Sequence, residues 1–145
     1  MFDKILVPTD GSELADKAVQ AAVNFAREKG GKLVALGVAE PYPYSPLGEP
    51  AFLPDYPTWE KENEALIRKD VERVCTLARA AGVSCETQVL LGSDPADEIV
   101  RVADEQACDA IFMTSHGRRG FDRLLLGSVT QKVLLKSALP VVVFR

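Results

Sequence analysis

Thr114-Ser115-His116-Gly117 and Gly127-Ser128-Val129-Thr130 bring glycines and hydroxyls to the two ends of a stretch that also holds Arg118, Arg119 and Arg123. That composition suits an anion. The first amides of a helix have no intrahelical partner, the helix dipole is positive at that end, and glycine lets a phosphate come close to the backbone. Gly127, Ser128 and the N–H groups of Val129 and Thr130 are therefore candidate phosphate ligands, with Gly117 supplying a tight turn. Between Thr114 and Lys136 the basic residues Arg118, Arg119, Arg123, Lys132 and Lys136 face only Asp122, a local charge of +4 in a chain of net charge −4, so the remainder carries −8. An acidic protein that gathers positive charge around one loop meets a small anion there. The acidic balance argues against a general nucleic-acid binder, which needs a basic face.

Asp10, at the end of the first apolar run, is a second candidate. It could accept hydrogen bonds from a ribose, a base or water on a magnesium ion, or it could simply cap the following helix. His116 is the only histidine, and no paired carboxylate, metal-ligand cluster or Ser/Cys–His partnership stands out, so no catalytic residue and no metal site is assigned. The Gly-Lys-Ser/Thr of a P-loop is missing as well. Cys75, Cys85 and Cys108 are odd in number, widely spaced and without a Cys-x-x-Cys, which predicts reduced core cysteines rather than a disulfide or a zinc site.

The 145 residues, 47% hydrophobic and 26% charged, make one globular domain's worth of chain over 1–145. The longest apolar stretches are too short to span a bilayer, and Met-Phe-Asp-Lys does not open a signal peptide, so the expectation is a cytoplasmic protein with no membrane partner.

Strand and helix signals alternate from end to end, as in a parallel sheet with crossover helices. The first strand is Lys4 to Pro8, followed by a helix that Asp10 or Ser12 caps, with Ala15, Ala18, Val19, Ala22 and Ala26 inward and Gly30-Gly31 as its stop. Lys32 to Val38 is the second strand. Six prolines then make Glu40 to Thr58 a long loop, which packs on its own domain, on a subunit or over a ligand. A helix from Glu60 to Ala81 turns Ile67, Val71, Val74, Cys75 and Ala78 inward. Val83 to Leu91 is an edge or near-edge strand, and Ser93-Asp94-Pro95 opens a helix with Ala96, Ile99, Val100 and Ala103 on its buried side. Asp109 to Met113 is a central strand, Ser128 to Ser137 the last helix, and 140–144 a β-branched final strand. Left uncovered that strand would be a sticky edge, and pairing with the same strand of a second copy would cover it.

Five right-handed βα units with a long excursion after the second strand are most simply ordered 3-2-1-4-5, an open doubly wound α/β sheet with helices on both faces. Ligands bind such sheets at the carboxyl ends of strands where the winding reverses, here between strands one and four. The loops at that point are 8–12 and 114–128.

Gly117, nine residues and then Gly127-Ser128, with Lys-Ile-Leu-Val-Pro-Thr-Asp-Gly-Ser at the start and Pro-Val-Val-Val at the end, resemble the universal stress protein family over essentially the whole length. The ATP-binding branch of that family carries Gly-x2-Gly-x9-Gly-Ser/Thr after its fourth strand. Thr114 stands where that pattern has its first glycine, so a side chain either narrows the phosphate site or points away. The resemblance implies an adenine nucleotide alpha hydrolase-like fold, ATP, with or without Mg2+, as ligand, and a stress-response role as a nucleotide-regulated homodimer paired through 140–144. It implies that Pro8, Thr9 and Asp10 line the adenine and ribose end, with Val38 touching adenine through its backbone. Met113, Thr114, His116 and Gly117 would then follow the ribose and phosphates, and Gly127 to Thr130 would hold the triphosphate. Two alternatives stay open: a slow ATP hydrolase, and a nucleotide-independent interaction protein whose site Thr114 blocks.

Overall fold

The computed structural model describes residues 2–41, 56–117 and 126–145. Arg118, Arg119, Arg123 and residues 42–55 of the proline-rich loop lie outside these described residues. Strands β1 (Lys4–Pro8), β2 (Lys32–Ala39), β3 (Ser84–Leu91), β4 (Ala110–Thr114) and β5 (Val141–Phe144) form one parallel sheet in the order β3-β2-β1-β4-β5. Helices α1 (Glu13–Lys29) and α2 (Tyr56–Ala80) cover one face, and α3 (Pro95–Glu105) and α4 (Ser128–Lys136) the other.

The two-residue period of the strands divides the core between these layers. Ile5 and Val7 of β1 pack with Val19 and Val23 of α1 and Val71 and Val74 of α2, while Leu6 between them packs with Ile99 and Val102 of α3 and Val133 of α4. All of these are at most 3% exposed, so β1 is buried on both faces and sits at the centre of the sheet.

Helix ends follow from single residues. Ser12, rather than Asp10, caps α1: its Oγ accepts from the Ala15 amide at 3.1 Å, while Asp10 Oδ1 accepts from the Ser12 amide at 3.0 Å and fixes the turn before it. Gly30, at φ +71°, takes the left-handed conformation that ends the helix. Asp94 caps α3 through the Ala96 amide at 3.0 Å, with Pro95 at the first helical position. The long helix begins earlier than its prolines suggest. Pro57 falls in the first turn of α2, where a missing N–H costs nothing, so Tyr56–Thr58 are helical rather than loop.

The cysteine expectation is overturned for two of the three residues. Cys75 and Cys85 form a disulfide, with Cα atoms 5.1 Å apart, and only Cys108 is a free, buried thiol. The physical reason is tertiary: the inward stripe of α2 lies directly against β3, and Cys75 and Cys85 face each other across that contact within bridging distance.

Candidate functional site

β1 pairs with β2 on one side and β4 on the other, so the winding reverses between β1 and β4. Beyond their carboxyl ends lies a cleft of about 680 Å³ bounded by α2, by α3 and by the start of α4. All twelve residues singled out from the sequence line it: Pro8, Thr9, Asp10, Val38, Met113, Thr114, His116, Gly117, Gly127, Ser128, Val129 and Thr130.

The two loops touch at Asp10 and Gly117. A methyl group placed on Gly117 would lie 2.9 Å from Asp10 Oδ2, so a side chain here would push the carboxylate aside. The same loop is tied to α4 at two points: the Gly127 amide donates to the Ser115 carbonyl at 2.7 Å, and Thr130 Oγ1 donates to the Thr114 carbonyl at 2.8 Å. Thr130 is 2% exposed, which makes that second bond a buried strut between β4 and the helix.

α4 differs from α1 and α3 at its start. Its cap residue is Gly127, which has no side chain to accept from the first-turn amides. Ser128, Val129 and Thr130, the residues of that uncapped first turn, line the cleft.

Thr114 lies in the cleft wall, where its Oγ1 donates to the His116 carbonyl at 2.8 Å, binding the side chain back to its own loop. His116 Nδ1 lies 2.6 Å from Ser115 Oγ, a serine–histidine pair that sequence reasoning did not find. Ser115 is 1% exposed, so its hydroxyl is closed to a substrate and the pair orders the turn.

Sequence reasoning also missed lining residues that come from other elements. Trp59, Asn63, Ile67 and Asp70 of α2 form one wall, and Ser93, Asp94 and Ile99 another. Ile67 packs on Gly37 of β2 so closely that an added methyl would fall 2.2 Å from its Cγ2. Lys132, one turn into α4, reaches the lip, where its Nζ meets Asp94 Oδ2 at 2.8 Å. The hydrogen bond from Lys132 holds the Asp94 carboxyl below the usual carboxylate range. One turn further, Lys136 pairs with Asp97 in the same way. Among the described residues no three His, Cys, Asp or Glu side chains converge on a metal position.

A doubly wound parallel sheet with its cleft at the topological switch point defines an α/β class that takes ligands at that edge. Within that class, the model of the universal stress protein family matches residues 1–145. Universal stress protein MJ0531 of Methanocaldococcus jannaschii is 34% identical over 148 residues, covering 100% of this chain and 83% of its own. Among solved structures, universal stress protein UspA from Lactobacillus plantarum superposes with a TM-score of 0.84 at 25% identity, covering 99% of this chain and 98% of that one. A universal stress protein solved in complex with cAMP is 26% identical with a TM-score of 0.68, covering 99% and 97% of the two chains. The chain belongs to the universal stress protein family. No described helix is long and apolar enough to cross a membrane.

Proposed function

We propose that this protein binds an adenine nucleotide, ATP above all, in the cleft between β1 and β4. It would act as a cytoplasmic homodimeric stress-response binder whose occupancy alters dimer or partner affinity. The observation that carries this reading is the glycine-capped start of α4 lining the same cleft as Asp10. Phosphate oxygens would accept from the amides of Ser128, Val129 and Thr130, and the Ser128 hydroxyl would add a donor. Leu36, Val38 and Met113 give the apolar wall a purine needs, and Asp10 offers acceptors to a ribose hydroxyl. A volume of about 680 Å³ lies within the range of small-molecule sites, roughly 300–1,000 Å³. The relative solved with cAMP supports the adenine-nucleotide class. With no cage of protein ligands among the described residues, a magnesium ion here would be carried mainly by the phosphates.

Dimerisation is proposed through 140–144. β5 is an edge of the sheet, bonded only to β4, and each of Val141–Phe144 is half-buried. An apolar edge strand of this kind invites a second copy.

Calorimetric titration with ATP, with and without Mg2+, tests the reading. Saturable binding is expected in the wild type. In Gly127→Asp a carboxylate at the cap position would close over the same amides, so binding is lost while the helix gains a good cap. Gly127→Ala is the control. Its methyl would lie 3.1 Å from the Ser115 carbonyl oxygen, as the Cβ of the aspartate would, but it carries no acceptor to close over the amides, so most of the affinity should remain. No heat in the wild type, or equal affinities in the Asp and Ala variants, would overturn the assignment.

A further inference from the structure

Of the described residues lining the cleft, Lys132 is the one lysine or arginine, whereas Asp10, Glu40, Asp70 and Asp94 are acids. A ligand with several phosphates therefore has one side-chain cation among them on which to place its outermost charge. We propose that Lys132 reads the number of phosphates on the nucleotide, exchanging its ion pair with Asp94 for the terminal phosphate of a nucleoside triphosphate. This rests on the nucleotide-binding reading above and adds to it a preference for ATP over AMP.

Helix geometry puts the ammonium within reach. Ser128 and Lys132 are four residues apart and share one face of α4, and Cα–Cβ bonds tilt toward the helix N-terminus, so the lysine runs back toward the first turn. The distance to cover along the axis is about 6 Å, the reach of an extended lysine. In the structure the side chain is held at the lip by Asp94, with 51% of the lysine and 31% of the aspartate side chain exposed. An ion pair so open to water is weak and easily exchanged. Its loss leaves α3 and α4 joined, because Lys136 and Asp97 make the same link one turn away and Ile99, Val102 and Val133 pack beneath. Asp94 also keeps its capping bond to Ala96 whether or not Lys132 is present.

In this proposal the first phosphate is held by the α4 amides, which need no side-chain cation, and the second and third run along the lip, where Lys132 now meets Asp94.

Calorimetry of the full chain with AMP, ADP and ATP at fixed ionic strength tests this. Lys132→Met should weaken ATP about tenfold, the loss of one charge-assisted hydrogen bond, and leave AMP unchanged. Asp94→Asn keeps a good helix cap and frees the ammonium, so ATP should bind several-fold tighter with AMP again unchanged. If the wild type binds ATP and Lys132→Met weakens AMP and ATP alike or neither, or if Asp94→Asn binds ATP no more tightly, the role of Lys132 is overturned and the site stands. If the wild type binds none of the three nucleotides, the site assignment falls and the role of Lys132 falls with it.

Discussion

Breaking the Cys75–Cys85 bond gives a stability change that can be worked out in advance. The two residues are ten apart in sequence, and closing a loop of that length in the unfolded chain removes about 2.7 kcal/mol of chain entropy at 25 °C. For a chain of 145 residues each kcal/mol moves the melting midpoint by about 4 °C, so reduction should lower it by about 10 °C. Cys75 is fully buried and Cys85 7% exposed, so a reductant reaches the bond slowly in the native state. The protein should be unfolded, reduced and refolded under reductant, with intact mass after alkylation confirming its state. Thermal unfolding followed by circular dichroism then compares oxidised and reduced wild type, which share every side-chain atom apart from the two thiol hydrogens. Cys75→Ala/Cys85→Ala should melt at or below the reduced wild type and be insensitive to reductant. Oxidised and reduced midpoints within about 2 °C of each other would refute the chain-entropy account, because the cross-link would then contribute well under 1 kcal/mol.

Two other predictions concern buried groups. Burial pushes the Cys108 thiol up to about 11, so almost none of it is thiolate at pH 8, and a maleimide reagent should leave native oxidised protein unlabelled while labelling one cysteine after unfolding. Rapid native labelling would contradict that burial. Thr130→Val keeps the shape and deletes the bond to the Thr114 carbonyl, so it should cost about 1–2 kcal/mol in denaturant unfolding and weaken ATP by loosening α4 from β4. An unchanged midpoint would mean that the strut does not hold the helix.

Periodicity and punctuation carried most of the fold. Ala15, Ala18, Val19, Ala22 and Ala26 at helical spacing, the apolar runs of β1 and β4, and Gly30, Gly82 and Asp94-Pro95 at helix ends are local signals, and the strand order followed from them with the handedness of crossovers. The glycine-capped start of α4 was also legible, because a Gly-Ser pair before a helix leaves the same amides open whatever surrounds it. What could not be read depends on elements meeting. Cys75 belongs to the buried stripe of a helix and Cys85 to the inward side of a strand, and only the packing of α2 on β3 brings them together. Trp59, Asn63 and Asp70 entered the cleft wall for the same reason, through the close approach that Gly37 permits. Proline misled at the start of α2, since its cost in a helix vanishes in the first turn.

The two helices on the far face of the sheet explain why the anion would be sought at one and not at the other. α3 starts with Asp94, whose carboxylate accepts from the Ala96 amide, so its positive end is already answered by the chain itself. α4 starts with Gly127, whose missing side chain leaves that answer to whatever enters the cleft. The two starts face each other across the lip, joined by Lys132 and Asp94. A phosphate at α4 therefore competes with a carboxylate that belongs to the other helix. Adding negative charge to the ligand should strengthen its hold on Lys132 until Asp94 lets go, which is why the number of phosphates, more than the base, should set the affinity.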